Sequence, residues 1–219
     1  MNLLKVELHC HSEYSKDSLN KLKDLIYVAH QRGIQKLAIT DHNNIDGAIL
    51  AKNLDPELII VGEEILTTKG ELLVFFLNEA IPSGLEPMDA IDRLKKQGAF
   101  ISVSHPYDRL RHGWQLNDLE MITPYIDAVE VFNARCFSKD LNENAKIYAH
   151  QHNLLGTVGS DAHSLMEVGK ATLILPFFND ADSFRISLVQ AEQIANYSSP
   201  LVRLGSRYAR WMKQIRRTS

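Results

Sequence analysis

Cysteine is nearly missing: Cys10 and Cys136 are the only two in 219 residues. Two are too few for a disulfide framework, which excludes a small bridge-stapled scaffold and makes a reducing cytoplasm the expected setting. Long apolar runs are missing as well. Nowhere do 18 apolar residues follow one another, so no membrane span is expected. The opening MNLLKVELH has no charged leader, long apolar core or small-residue cleavage site, so no signal peptide is expected. Neither a G-x-S-x-G elbow nor a P-loop occurs, which leaves a serine nucleophile and P-loop chemistry without a basis. Acidic residues are absent from positions 200–219, which hold Arg203, Arg207, Arg210, Lys213, Arg216 and Arg217. Without that stretch, 18 basic residues face 27 acidic ones, a net of −9. So acidic a body argues against a general nucleic-acid-binding surface, though not against a local basic groove.

What remains is an ordinary globular composition, long enough for one large domain. Short apolar runs alternate with helix-length segments. Strands are expected at 3–8, 35–40, 58–61, 71–77, 99–104, 128–132, 154–158 and 171–175, where Val, Ile, Leu and Phe cluster between Gly, Pro, Asn or Asp. Amphipathic helices are expected at 19–32, 87–97 and 142–152, with Gly33 and Gly98 as stops for the first two. This alternation implies a mostly parallel sheet with helices outside it, open or closed into a barrel.

Chemistry-bearing residues follow the expected strands. His9 and His11 come after the first, Asp41 and His42 after the second, and Glu63 and Glu64 after the third. His105 follows the fifth, Asn133 the sixth, and Asp161 and His163 the seventh. Loops at the C-terminal ends of parallel strands converge on one mouth. Five imidazoles and several carboxylates there would suit more than one Zn²⁺, Mn²⁺ or Fe²⁺ ion. The remaining histidines, His30, His112, His150 and His152, are expected on the surface.

The series HCH (9–11), TDH (40–42), GEE (62–64), SHP (104–106) and SDAH (160–163) resembles the polymerase and histidinol phosphatase (PHP) domain family, with the motifs in the family's order. The resemblance implies an α/β fold, a distorted (β/α)7 barrel, with two or three divalent metals at its mouth and hydrolysis of phosphoesters. It implies His9, His11, Asp17, His42, Glu64, His105, Asp161 and His163 as metal ligands, with Glu64 bridging two ions. Glu71 stands where related sequences often have His, and it is carried as a ninth ligand. The implied catalytic set is Glu64, His105 and Asp161, acting on a hydroxide bridged between metals. Arg109, Arg111 and Arg135 are candidate phosphate clamps, because guanidinium matches phosphate oxygens in pairs.

Several residues carry a second reading. Cys10 alternates away from His9 and His11 and is expected to pack as a buried thiol. Glu63 is expected to face away from Glu64. Asp41 either binds metal or orients a histidine, and Asn133 either lines the pocket or ends a strand. The expected substrate is a small phosphomonoester or nucleotide. The alternatives are a short oligonucleotide cut by a 5'–3' exonuclease-type phosphodiesterase, an amidohydrolase reaction, and a regulatory or structural metal module. Residues 1–199 are expected to form the hydrolase domain and 200–219 a basic amphipathic helix. On that helix Leu201, Leu204, Tyr208, Trp211 and Ile215 share one face, which is expected to dock on the barrel.

Overall fold

The computed structural model describes residues 2–218, with side chains described through Ile215. Seven strands make the barrel: β1 (Leu3–Glu7), β2 (Lys36–Ile39), β3 (Ile59–Leu66), β4 (Glu71–Phe75), β5 (Phe100–Val103), β6 (Ala128–Asn133) and β7 (Leu155–Gly159). They pair in chain order, and a parallel bridge between Cys10 and Ala162 joins the extensions of β1 and β7. His11 N donates to Ala162 O and Ala162 N to His9 O, so the ring closes at the end that carries the histidines. Lower down, β1 pairs instead with β8 (Ala171–Pro176), which is antiparallel and carries β9 (Glu192–Ala195) on its far edge. Among the described residues the sheet therefore has nine strands, the seven of the expected barrel and two appended ones. β9 was not expected, because an exposed edge strand reading EQIA has no apolar alternation.

β4 is the one barrel strand that runs against its neighbours, antiparallel to both β3 and β5. Its N-terminus therefore lies at the mouth, where the parallel strands end. This places Glu71 there although it begins a strand. The helices α1 (Leu22–Gln31), α2 (Asp46–Leu54), α3 (Pro87–Lys96), α4 (Leu116–Ile122), α5 (Lys139–Gln151) and α6 (Ala181–Leu188) connect or follow the strands. α1 fits the apolar stripe read from sequence, burying Leu22, Leu25 and Ala29. At the end away from the mouth, Phe184 of α6 packs on Phe75, Phe100 and Phe178, with its ring centroid 4.8 Å from that of Phe100. Four fully buried aromatic rings close that end, leaving the mouth as the open one.

The last helix, α7 (Val202–Thr218), forms where the periodicity places it but docks the other way round. Leu201, Leu204, Tyr208, Trp211 and Ile215 are exposed, while Ser206 and Ala209 are buried. The contact is made by polar groups. Arg210 Nη2 lies 3.1 Å from Asp17 Oδ2, Lys213 Nζ donates to the carbonyls of Glu13 and Ser15, and Arg203 Nη2 donates to Arg135 O. The expected apolar docking is thus corrected. The acidic, carbonyl-rich mouth attracts the basic face itself, and charge-assisted bonds take the place of apolar burial.

Candidate metal centre

His9 and His11 stand two residues apart on the extension of β1, so the alternation of an extended chain points both the same way and sends Cys10 into the core. Gly159 of β7 makes room for them, since a Cβ there would collide with His9 and Glu130. Glu64 sits at the centre of the mouth. Its Oε1 lies 3.4 Å from His9 Nε2 and 3.2 Å from His105 Nε2, and its Oε2 lies 3.4 Å from His11 Nε2 and 3.0 Å from His42 Nδ1. Each oxygen of one carboxylate thus faces a different pair of imidazoles. Asp161 Oδ1 is 3.8, 3.5 and 3.3 Å from His9, His11 and His163, and Asp17 Oδ1 lies 3.5 Å from His42 and 3.3 Å from His163. Glu71 Oε2 is 3.6 Å from His105. Among the described residues three donor groups emerge, His11–His42–His163, His9–His11–Asp161 and His42–Glu64–Glu71, each with donor atoms within 4.8 Å of one another. Two of the assembled residues, His105 (φ 24°) and Asp161 (φ 51°), hold left-handed backbone, a strain that clusters at functional sites.

A surrounding layer fixes these rings. Glu130 Oε1 accepts from His9 Nδ1 at 2.8 Å, and its other oxygen accepts from His105 N and Asn133 Nδ2. Asp41 accepts from Ser12 and Ser15, and Ser15 Oγ, its proton committed to Asp41, accepts from His11 Nδ1 at 3.0 Å. Both Nδ1 atoms therefore hold protons, and the lone pairs of His9 Nε2 and His11 Nε2 face each other 3.1 Å apart. Only a cation between them, a proton or a metal, makes that arrangement favourable. Below, Glu7 accepts from His9 N, Ser160 N, Ser160 Oγ and Gly169 N, tying the ends of β1 and β7 together.

Charge at the mouth has the same sense. Burial alone would lower His9, but Glu130, Glu64 and Asp161 outweigh it and push the ring above its ordinary value. His42 is raised likewise against burial, chiefly by Glu64 and Asp17. His11, buried beside His163 and His42, falls to about 3. Glu64 and Asp161 are held well below the carboxylate range despite burial, His9 being the largest opposing influence on each. Burial and then the Glu64 charge push Glu71 up to about 7. Anionic oxygens around one space, with ring nitrogens that become donors once His9 and His42 give up their protons, form a donor set for divalent transition metals. The residues fit such ions: Asp17 Oδ1 is buried without a hydrogen bond and faces only the His42 and His163 rings, as an oxygen reserved for a cation would.

All nine residues expected as ligands are brought together at the mouth. The arginines divide differently. Arg109 is exposed and lies outside the lining of the mouth cavity, a space of about 370 Å³, whereas Arg111, Arg135, Lys16, His112, Arg203, Arg207 and Arg210 help to line it. Arg111 contacts Asp108 and Asp161, and Arg135 lies 3.0 Å from Glu167 and 2.9 Å from His163 Nδ1. His112, expected on the surface, is exposed but belongs to this wall, turned there by a left-handed residue geometry (φ 59°). Asn133 is buried, donating to Asp161 and Glu130, and Asp41 orients through serine. Glu63 faces away and is buried, accepting from Ile81 N. Sequence reading missed Glu7 and Glu130. The available signal was a lone acid inside each apolar run, VEL and VEV.

Residues 7–101 match the model of the PHP domain, and residues 139–188 that of the PHP-associated family. Two uncharacterized proteins of Methanocaldococcus jannaschii are similar: MJ1587, 38% identical over 60% of this chain and 82% of its own length, and MJ0417, 41% identical over 77% and 69%. Among solved structures, PsfC from Pseudomonas syringae shares the fold at 21% identity over 97% of this chain and all of its own, with a TM-score of 0.72. A candidate metal-dependent phosphoesterase of Bifidobacterium adolescentis does so at 18% identity over 84% and 96% (0.63), and the lesion-specific endonuclease Q of Pyrococcus furiosus at 14% over 91% and 60% (0.64). With its motifs in order, its barrel ring closed at the mouth and two relatives covered over more than two thirds of their length, the chain belongs to the PHP domain family.

Proposed function

We propose that the chain is a phosphoester hydrolase that uses two or three divalent ions (Zn, Mn or Fe) at the barrel mouth, acting in the cytoplasm on a small phosphomonoester or nucleotide. The observation that carries this reading is Glu64, whose two oxygens face different imidazole pairs as a bridging carboxylate between ions would. His9, His11, Asp17, His42, Glu64, Glu71, His105, Asp161 and His163 would hold the ions. Bound there, such ions supply Lewis acidity toward water and phosphoryl oxygens. The chain's own part is positioning. Glu130 and Ser15 fix the His9 and His11 tautomers so that Nε2 faces the mouth. Arg111 holds Asp161 and keeps a guanidinium at the cavity wall, where it can offset phosphoryl charge. Arg135, nearly buried, acts on His163 rather than as a free clamp. A cavity of about 370 Å³ is near the small end of ligand sites, which favours a small ester over a long strand. An oligonucleotide end is the second reading, supported by the basic wall from α7. The test is a screen of phosphomonoesters, bis(p-nitrophenyl) phosphate and 5'-labelled short oligonucleotides with manganese- or zinc-loaded protein. Turnover of monoesters above all others supports the first reading; cleavage confined to oligonucleotides replaces it with the second.

A further inference from the structure

The cations on the cavity wall fall into two kinds. Arg111 is engaged by Asp108 and Asp161, Arg135 by Glu167 and Ser206, and Arg210 by Asp17. Arg203 donates to Arg135 O and lies over the Phe137 ring. Lys16 and Arg207 line the same cavity, are exposed, and make no ion pair among the described residues. They come from opposite sides of the chain, one from the loop after His11 and one from α7. His112 stands on the same cavity wall as both. The orientation of α7 points the same way. It leaves Leu204, Tyr208, Trp211 and Ile215 exposed while turning Arg203, Arg207 and Arg210 to the mouth, against the ordinary preference for apolar burial.

The carboxylates of the mouth are concentrated around the imidazoles, where the ions would offset them. Lys16 and Arg207 have no such task. We propose that these two residues bind a second anionic group of the substrate, so that the preferred substrate is a phosphoester carrying a further phosphate. This rests on the phosphoesterase reading. The second phosphate could belong to a small bisphosphate or to the next nucleotide of an oligonucleotide, since both present the same chemistry to a guanidinium and an ammonium.

The test compares metal-loaded wild type with Arg207→Ala, Lys16→Ala and Arg207→Lys on two substrate pairs. One pair is fructose 1,6-bisphosphate against fructose 6-phosphate, the other a 5'-phosphorylated dinucleotide against a nucleoside monophosphate. In wild type the kcat/KM ratio of doubly to singly charged substrate should exceed one in at least one pair. Arg207→Ala should lower that ratio about tenfold, the worth of one charge-assisted hydrogen bond, mainly through KM. Arg207→Lys should restore much of it. The pair that responds identifies the source of the second phosphate. A wild-type ratio of one or less in both pairs, or equal losses on both members of a pair, would overturn the inference. If no substrate is turned over, calorimetric titration with the doubly phosphorylated compounds decides. Binding weakened about tenfold by Arg207→Ala keeps the second-anion site while the phosphoesterase reading fails, and binding that is absent or unaffected overturns both. Circular dichroism melts of the exposed-site variants should match wild type.

Discussion

Replacing Glu63 by glutamine should stabilise the protein at alkaline pH and leave it almost unchanged at pH 5. Glu63 is fully buried on the face of β3 turned away from the mouth, with one oxygen accepting from Ile81 N and the other without a partner. Burial pushes its carboxyl from the usual 4.5 up to about 7. In the unfolded chain the proton leaves near 4.5, and in the folded chain it stays until about 7. Between those values the folded state binds more protons, so its stability falls as pH rises and levels off once both states are ionised. The gap of about 2.5 units corresponds to roughly 3 kcal/mol above pH 8. Glutamine cannot ionise and escapes that cost. For a chain of this length the gain is about 6–12 °C in Tm. Thermal melts at pH 5 and pH 8.5, in chelator so that metal binding does not contribute, would measure it. A Glu63→Gln gain of the same size at both pH values, or a loss at pH 8.5, would refute the assignment of a buried, strained carboxylate. The neighbouring Glu64→Gln supplies the contrast. It should abolish hydrolysis and reduce bound metal, while Glu63→Gln keeps most of both; equal losses would mean that the wrong carboxylate faces the mouth.

Glu130→Gln should weaken metal binding about 10–100-fold in a competition titration with a chelating dye, because the partner that fixes the His9 ring is altered, and unchanged affinity would reject that role. Arg135→Ala should cost about 3–5 kcal/mol in urea unfolding, because Glu167 is left buried beside no cation. A variant as stable as wild type would instead return Arg135 to the surface role of a phosphate clamp. Paired substitution of Leu204 and Trp211 by serine should leave Tm within a degree or so, since both face outward. A drop of several degrees would mean that the apolar face of α7 is buried in solution. Metal binding should release protons and weaken as pH falls below neutrality, since His9 and His42 are raised and must lose protons to bind. Affinity independent of pH between 6 and 8 would contradict this.

Strand ends were legible because apolar runs stop abruptly at His, Asp or Glu, and parallel topology turns that spacing into a shared mouth. Glu71 was different. Its place at the mouth depends on β4 running backwards, which a buried apolar run does not reveal. Glu7 and Glu130 were passed over because their value lies in partners distant in sequence, Ser160 and Gly169 for Glu7 and the ring of His9 and the backbone of His105 for Glu130. Arg109 and Arg111 could not be separated by sequence, since a 3-10 turn over Arg109–Arg111 decides which guanidinium meets Asp161. The face of α7 was misjudged for an energetic reason. Apolar periodicity identifies a stripe, but here Asp17 and the carbonyls of Glu13 and Ser15 compete for the other face.

The most direct measurement is a titration of chelator-stripped protein with manganese or zinc, following bound metal per chain and phosphate release from a phosphomonoester together. The account predicts no release without metal, and activity that rises as the second ion binds, to two or three ions per chain. Hydrolysis by fully stripped protein, or saturation below one ion per chain, would contradict it.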